Sequence, residues 1–228
     1  VAEQPHKVYI IELSSFQLDN MYSFKADIAI LLNITPDHLD RYDFCMQHYV
    51  DAKFRIIQNM TADDAFIYWN DDPIIRRELP KYDIKARQLP FAENMEEGCE
   101  GAIVDGMYKL LAPTLFELKR EELSLAGKHN IYNQLAAGLA ANVYGISHDA
   151  IAAGLEDFPG VEHRLEKVAT VDGVRYINDS KATNVDACWY ALESMTTPTV
   201  LIIGGKDKGN DYNEIKEMVQ KKCSALVY

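Results

Sequence analysis

A lysine in the middle of an apolar helical stripe is the feature of this sequence that most invites chemistry. Residues 46–59 fit a helix in which Met46, Tyr49, Val50, Ile56 and Ile57 share one face. Lys53 falls in the middle of that face, and Gln47, His48, Asp51, Arg55 and Gln58 take the other. A cation so placed is costly unless something pairs with it. Two readings follow. The stem can pack while the ammonium snorkels out to water. Alternatively, burial lowers the pKa and leaves an amine open to modification or paired with an active-site anion.

Two more candidates stand at the ends of apolar runs. Glu12 closes 8–13 (VYIIEL), and Thr35-Pro36-Asp37-His38 follows 26–33 (ADIAILLN). Both runs are continuously apolar, as strands buried on both faces are. In open α/β sheets, ligands bind beyond the carboxyl ends of the strands. Glu12 is there either a ligand for Mg²⁺, which prefers oxygen, or a strand-end carboxylate facing water. Thr35 as N-cap and Pro36 at the first helical position predict a helix start. That start puts His38 on the same rim, in contact with metal or substrate or simply at the surface.

Polar residues also gather where helices begin. Asn130 and Asn133 lie three apart after Gly127-Lys128-His129, so they share a face near a helix start. Their amides suit the polar edge of a base, and equally suit capping. The run 178–184 (NDSKATN) brings acid, base, hydroxyl and amide groups to a helix N-terminus, where anions are held. His163-Arg164 follows a Phe158-Pro159-Gly160 hinge, so Arg164 can swing onto a phosphate or stay at the surface. Gly204-Gly205-Lys206-Asp207-Lys208-Gly209 has the look of a phosphate-binding turn but matches neither common glycine-rich pattern.

The elements that must position these groups alternate. Strand-like runs lie at 8–13, 26–33, 65–69, 165–171, 174–178 and 199–203, with a further strand-like end at 225–228. Strands and turns fill 81–123. Helical patterns lie at 46–59, from 130 to a break at Gly145, and at 185–194 and 212–222. Asp105-Gly106 and Asp172-Gly173 mark hairpin turns. The expected class is α/β with a mostly parallel sheet. Lys and Arg total 23 against 35 Asp and Glu, a net charge of -12, which excludes a general nucleic-acid or anionic-membrane binder. The four cysteines lack metal-site spacing and fit free thiols in a reducing cytoplasm. No apolar run is long enough to span a membrane. The opening and closing segments read as cut from a longer chain.

Taken in order, these segments resemble the Mur ligases. Glu12-Leu13-Ser14-Ser15-Phe16-Gln17-Leu18 is similar to a segment of the D-glutamate-adding branch, and 33–41 (NITPDHLDR) to the next family motif. Lys53 matches the family's carbamylated lysine. His129-Asn130 with Asn133, His163-Arg164, 179–184 and Gly204-Gly205 with Lys208 follow in the family's order. The resemblance covers nearly the whole chain.

It implies a central ATP-binding domain over 1–160, lacking its N-terminal P-loop part, and the first part of a Rossmann-like C-terminal domain over 161–228. Glu12, His38 and a carbamate on Lys53 would hold Mg²⁺. Asn130 and Asn133 would face adenine, and Arg164 and Asp179 would hold ribose and phosphates. Lys181 would stabilise the transferring phosphate, acting with Lys53 and His38 in catalysis. Ser14 would lie near the nucleotide-sugar substrate, and Thr183 and Lys208 would bind the amino acid. The implied reaction uses ATP to join D-glutamate to UDP-N-acetylmuramoyl-L-alanine through an acyl phosphate, in a cytoplasmic enzyme, monomeric at full length. With the P-loop upstream, this piece alone is expected to be inactive. The alternatives are a ligase for another amino acid, a folylpolyglutamate synthetase, or a non-catalytic nucleotide-binding module. A dehydrogenase is disfavoured, since no G-x-G-x-x-G follows a strand.

Overall fold

The computed structural model describes residues 6–125, 127–205 and 211–228. Lys208, assigned above to amino-acid binding, lies outside them. Six strands form one sheet in sequence order. They are β1 (Ile28–Leu31), β2 (Ala65–Trp69), β3 (Arg87–Asn94), β4 (Gly101–Val104), β5 (Met107–Leu110) and β6 (Phe116–Lys119). The β1–β2, β2–β3 and β3–β4 pairs are parallel, and β4–β5–β6 is an antiparallel meander. Asp105 (φ 50°) and Gly106 (φ 76°) make the β4–β5 turn that their types predict.

Both faces of this sheet are covered, which is why its central strands read as unbroken apolar runs. Along β2 the side chains alternate. Ala65 and Ile67 enter a core with Leu135 and Leu139 of α4 (Lys128–Tyr144). Phe66 and Tyr68 enter a second core with Val50 and Phe54 of α2 (Met46–Phe54) and Ile75 of α3 (Pro73–Glu78). In α4, Gly138 passes so close to Tyr108 that a Cβ there would collide with the phenol oxygen. The helix ends at Gly145, in the left-handed conformation (φ 88°) that suits glycine. Ser147 then caps α5 (His148–Glu156).

Beyond it, β7 (Glu166–Val171) and β8 (Val174–Asn178) form the expected hairpin around Asp172-Gly173. Next come α6 (Val185–Ser194), β9 (Thr199–Ile202), α7 (Asn213–Lys222) and β10 (Cys223–Val227), with β9 and β10 parallel. No helix among the described residues is long and apolar enough to cross a membrane.

Three local expectations are corrected. The run 8–13 joins no sheet: Ile10 is 98% exposed, and no described strand pairs with the segment. A strand exists only through its ladder, so apolar composition alone does not make one. Thr35 and Pro36 do not start a helix. A 3₁₀ turn (Leu39–Tyr42) begins after His38, whose left-handed backbone (φ 51°) breaks any helix entering from 35. Finally, α2 tightens into a 3₁₀ turn (Arg55–Ile57), so Ile56 and Ile57 leave the α-helical wheel that carries Lys53.

Candidate active site

Lys53 occupies the position its neighbours predict. On α2, Tyr49, Val50, Ala52 and Phe54 are buried and lock the helix onto the sheet. The Lys53 ammonium lies 5.2 Å from the centre of the Tyr49 ring. Burial pulls its pKa down, while Asp37 and Asp72 push it partly back up. Among the described residues, no hydrogen bond or ion pair within 4 Å reaches it. Burial also pushes the Tyr49 phenol up to about 12, helped by the charge of Asp37.

A row of rings links this lysine to His38. The His38 ring meets Phe16 edge-on at 5.3 Å, Phe16 stacks on Tyr42 at 5.8 Å, and Tyr42 meets Tyr49 at 5.5 Å. His38 Nε2 is 3.6 Å from an Asp37 carboxylate oxygen. Phe16 belongs to α1 (Ser15–Asp19), whose N-terminus is closed by a reciprocal capping box. The Gln17 amide N–H donates to Ser14 Oγ at 3.3 Å, and the Ser14 N–H donates to Gln17 Oε1 at 2.9 Å. Ser14 thus has a structural task of its own. Glu12 is exposed, with no hydrogen bond or ion pair among the described residues.

Asp72 was not singled out from sequence, although Asp-Pro is a cap-plus-first-turn signature. It is 3% exposed. One carboxylate oxygen accepts from the N–H groups of Ile74 (2.9 Å) and Ile75 (2.8 Å), capping α3. The other accepts from the Ile34 N–H at 3.0 Å.

No three His, Cys, Asp or Glu side chains among the described residues cluster closely enough to hold a metal ion. Mg²⁺ does not need such a cage, because it keeps waters and substrate phosphates around one or two protein oxygens. A carbamate on Lys53 would supply one such oxygen, at a half-buried position on which the charge of Asp37 acts.

A second set of polar groups meets where α4 begins. Hydrogen bonds shape the 178–184 loop. Leu165 N–H donates to Asp179 Oδ1 (3.0 Å), Lys181 N–H donates to the His163 carbonyl (3.1 Å), and Ala187 N–H donates to Asn184 Oδ1 (2.8 Å), capping α6. Burial raises the Asp179 carboxyl, opposed by the Leu165 bond and by the charges of His129 and Arg164. Burial likewise lowers His129, against the charges of Asp179 and Glu193 and in concert with Arg164. The His129 ring lies 5.6 Å from that of Tyr190 on α6, and its Nδ1 is buried without a hydrogen-bond partner.

The charges of Asp179 and Arg164 therefore act on His129 at the start of α4, beside Asn130, while the Lys181 N–H ties its loop to His163. Asn133, Arg164, Lys181 and Thr183 are exposed. Neither His38 nor Lys53 has a hydrogen bond, ion pair or ring contact with residues 163–184. Tyr190 and Glu193 escaped the sequence reading because nothing local distinguishes them. A cleft of about 320 Å³ also opens beside α4, between Glu93, Asn94, Arg120, Tyr132 and Glu193. It shares none of the sequence-predicted site residues.

Comparison with known proteins identifies the family of the chain. The Mur ligase middle domain matches residues 1–141, and the Mur ligase glutamate ligase domain matches 163–228. A UDP-N-acetylmuramoylalanine–D-glutamate ligase of Bacteroides thetaiotaomicron is 64% identical over 228 residues, all of this chain and 51% of the relative. One from Porphyromonas gingivalis is 51% identical, with the same coverage. The chain spans about half the length of the curated relatives it matches. Among solved structures, MurF from Acinetobacter baumannii superposes with a TM-score of 0.67 at 18% identity, covering 89% of this chain and 51% of that one. MurF from Thermotoga maritima in complex with ADP gives 0.64 at 19%, covering 89% and 53%. At such identity these structures speak to fold alone. The domain matches over most of its length place this chain in the Mur ligase family.

Proposed function

We propose that the full-length protein carrying this chain uses ATP to join D-glutamate to UDP-N-acetylmuramoyl-L-alanine, a step in making peptidoglycan precursors. The observation that carries the reading is Lys53, a half-buried amine with no carboxylate closing on it, on a helix packed against the sheet and within reach of the charge of Asp37. Neutral Lys53 attacks the carbon of CO₂, the amine proton leaves to solvent, and a carbamate anion results. Mg²⁺, when bound, would supply charge neutralisation for the phosphates. His38 and the carbamate on Lys53 are its proposed protein ligands, with Glu12 as a third.

The rest follows from charge and position. The substrate carboxylate attacks the γ-phosphorus of ATP, ADP leaves, and an acyl phosphate forms. The amine of D-glutamate then attacks the acyl carbon, phosphate leaves, and the amine gives up a proton. Asn130 and Asn133 suit the adenine edge, Arg164 and Asp179 the ribose and phosphates, and Lys181 the transferring group. Thr183 and Lys208 are assigned to D-glutamate, and Ser14 to the nucleotide-sugar. Residues 1–160 and 161–228 are the proposed domains. Gly160 (φ 87°) in the 158–160 link provides a backbone position at which they can close and exclude water from the acyl phosphate.

Phosphate release from ATP by the full-length protein tests this directly, with UDP-N-acetylmuramoyl-L-alanine and a panel of amino acids. Release that requires D-glutamate is expected. Release with a different amino acid reassigns the substrate, and none with any overturns the ligase reading.

A further inference from the structure

We propose that Asp72 is a positioning residue for the metal site, clamping the loop that carries Asp37 and His38 at a set distance from Lys53. The inference rests on the ligase reading above.

The clamp consists of three backbone hydrogen bonds on one buried carboxylate. The Ile74 and Ile75 bonds hold the start of α3, and the Ile34 bond reaches across 38 residues to the chain just after β1. Ile34 is the last buried residue before the loop turns outward through Asp37 to His38. After it, the segment 35–38 has no helix or strand to hold it. Ile34, Ile75, Val50 and Phe54 pack in one core, so the clamp and the helix bearing Lys53 share a foundation. Loops without regular structure drift unless pinned, and a drift of about 1 Å is enough to spoil ligand geometry.

The two carboxylate oxygens act on different segments, one on α3 and the other on Ile34, while the charge they share acts on Lys53. Serine at 72 still caps α3, because its hydroxyl reaches the first-turn N–H groups. It is too short to reach Ile34 as well. Asp72→Ser therefore removes the loop anchor and keeps the helix cap. Asp72→Asn is the second variant, with an amide that sets a donor against the Ile34 N–H or against the α3 amides.

The test uses full-length protein and Mn²⁺ in place of Mg²⁺, with bound ion read by electron paramagnetic resonance in the presence of bicarbonate and without turnover. Gly138→Ala, in α4 and away from the site, controls for lost stability. We expect Asp72→Ser to weaken Mn²⁺ binding about tenfold or more, the usual cost of removing an outer support of a metal ligand. Gly138→Ala, with equal or greater loss of melting temperature, should bind as wild type does. Asp72→Asn should match Asp72→Ser. Wild-type affinity in both Asp72 variants overturns the clamp, as does equal weakening in Gly138→Ala. If Asp72→Ser does not fold, Asp72→Asn decides alone; if neither folds, Asp72 is a fold residue and the proposal fails. A wild-type protein that neither binds Mn²⁺ nor releases phosphate overturns the ligase reading itself. A wild-type protein that does both, beside unaffected variants, overturns only the clamp.

Discussion

The Lys53 ammonium lies 5.2 Å from the centre of the Tyr49 ring, one turn back on the same helix. That contact is a cation–π interaction, worth on the order of 0.5–2 kcal/mol. It does not offset the desolvation of an ammonium that no carboxylate closes on. The fold thus keeps a charged group where an apolar one would pack better, as functional sites often do.

In the full-length protein, Lys53→Met should therefore stabilise the fold by about 0.5–2 kcal/mol, while the proposed phosphate release from ATP falls by on the order of a hundredfold or more. Thermal unfolding and phosphate release, measured on the same preparation, check both halves. A less stable variant would mean that Lys53 is paired in solution.

Glu78 is one of the carboxylates that tie stability to acid pH. Burial pushes its carboxyl up, but hydrogen bonds from Lys81, Gln47 and Arg77 outweigh burial and hold it down at about 2. A depressed carboxyl contributes stability that is present above its ordinary value of 4.5 and lost as pH falls through about 2. Melting temperature should decline across that window in wild type. The decline should be shallower in Glu78→Gln, and parallel slopes would refute the assignment.

His129 works at milder pH. Its folded-state pKa lies below the ordinary 6.5, chiefly through burial. As pH falls below 6.5 the unfolded chain takes the proton first, so stability is lost toward the folded value. Asp179 and Glu193 face the ring and soften this, and Arg164 sharpens it. Urea unfolding at pH 7.5 and 5.5 should show a loss in wild type that is smaller in His129→Gln.

Gly138 tests the packing of α4. Alanine brings about 1 kcal/mol of helix propensity, yet its methyl collides with Tyr108, whose hydroxyl donates to the Gln134 carbonyl at 2.7 Å. Overpacking outweighs propensity, so Gly138→Ala should destabilise by about 1–3 kcal/mol. Adding Tyr108→Phe should recover part of that loss in a double-mutant cycle, and strict additivity would show that the two residues do not meet.

Most of the secondary structure was legible because its signals are local. The helix at 185–194 and the strands at 65–69 and 174–178 follow from periodicity, and the turns at Asp105-Gly106 and Asp172-Gly173 from residues that tolerate positive φ. The anomaly at Lys53 was legible for the same reason, since a helical wheel needs only the neighbouring residues. Tertiary structure decided the rest. Whether 8–13 is a strand depends on a ladder partner, and which charges face Lys53 depends on the packing of distant segments. Asp72 reaches Ile34 across 38 residues of chain, and His129 reaches Tyr190 between two helices. Hydrophobic periodicity specifies which face of an element is buried, but not which other element covers it. The carboxylates around Lys53 became visible only once the chain had closed around it.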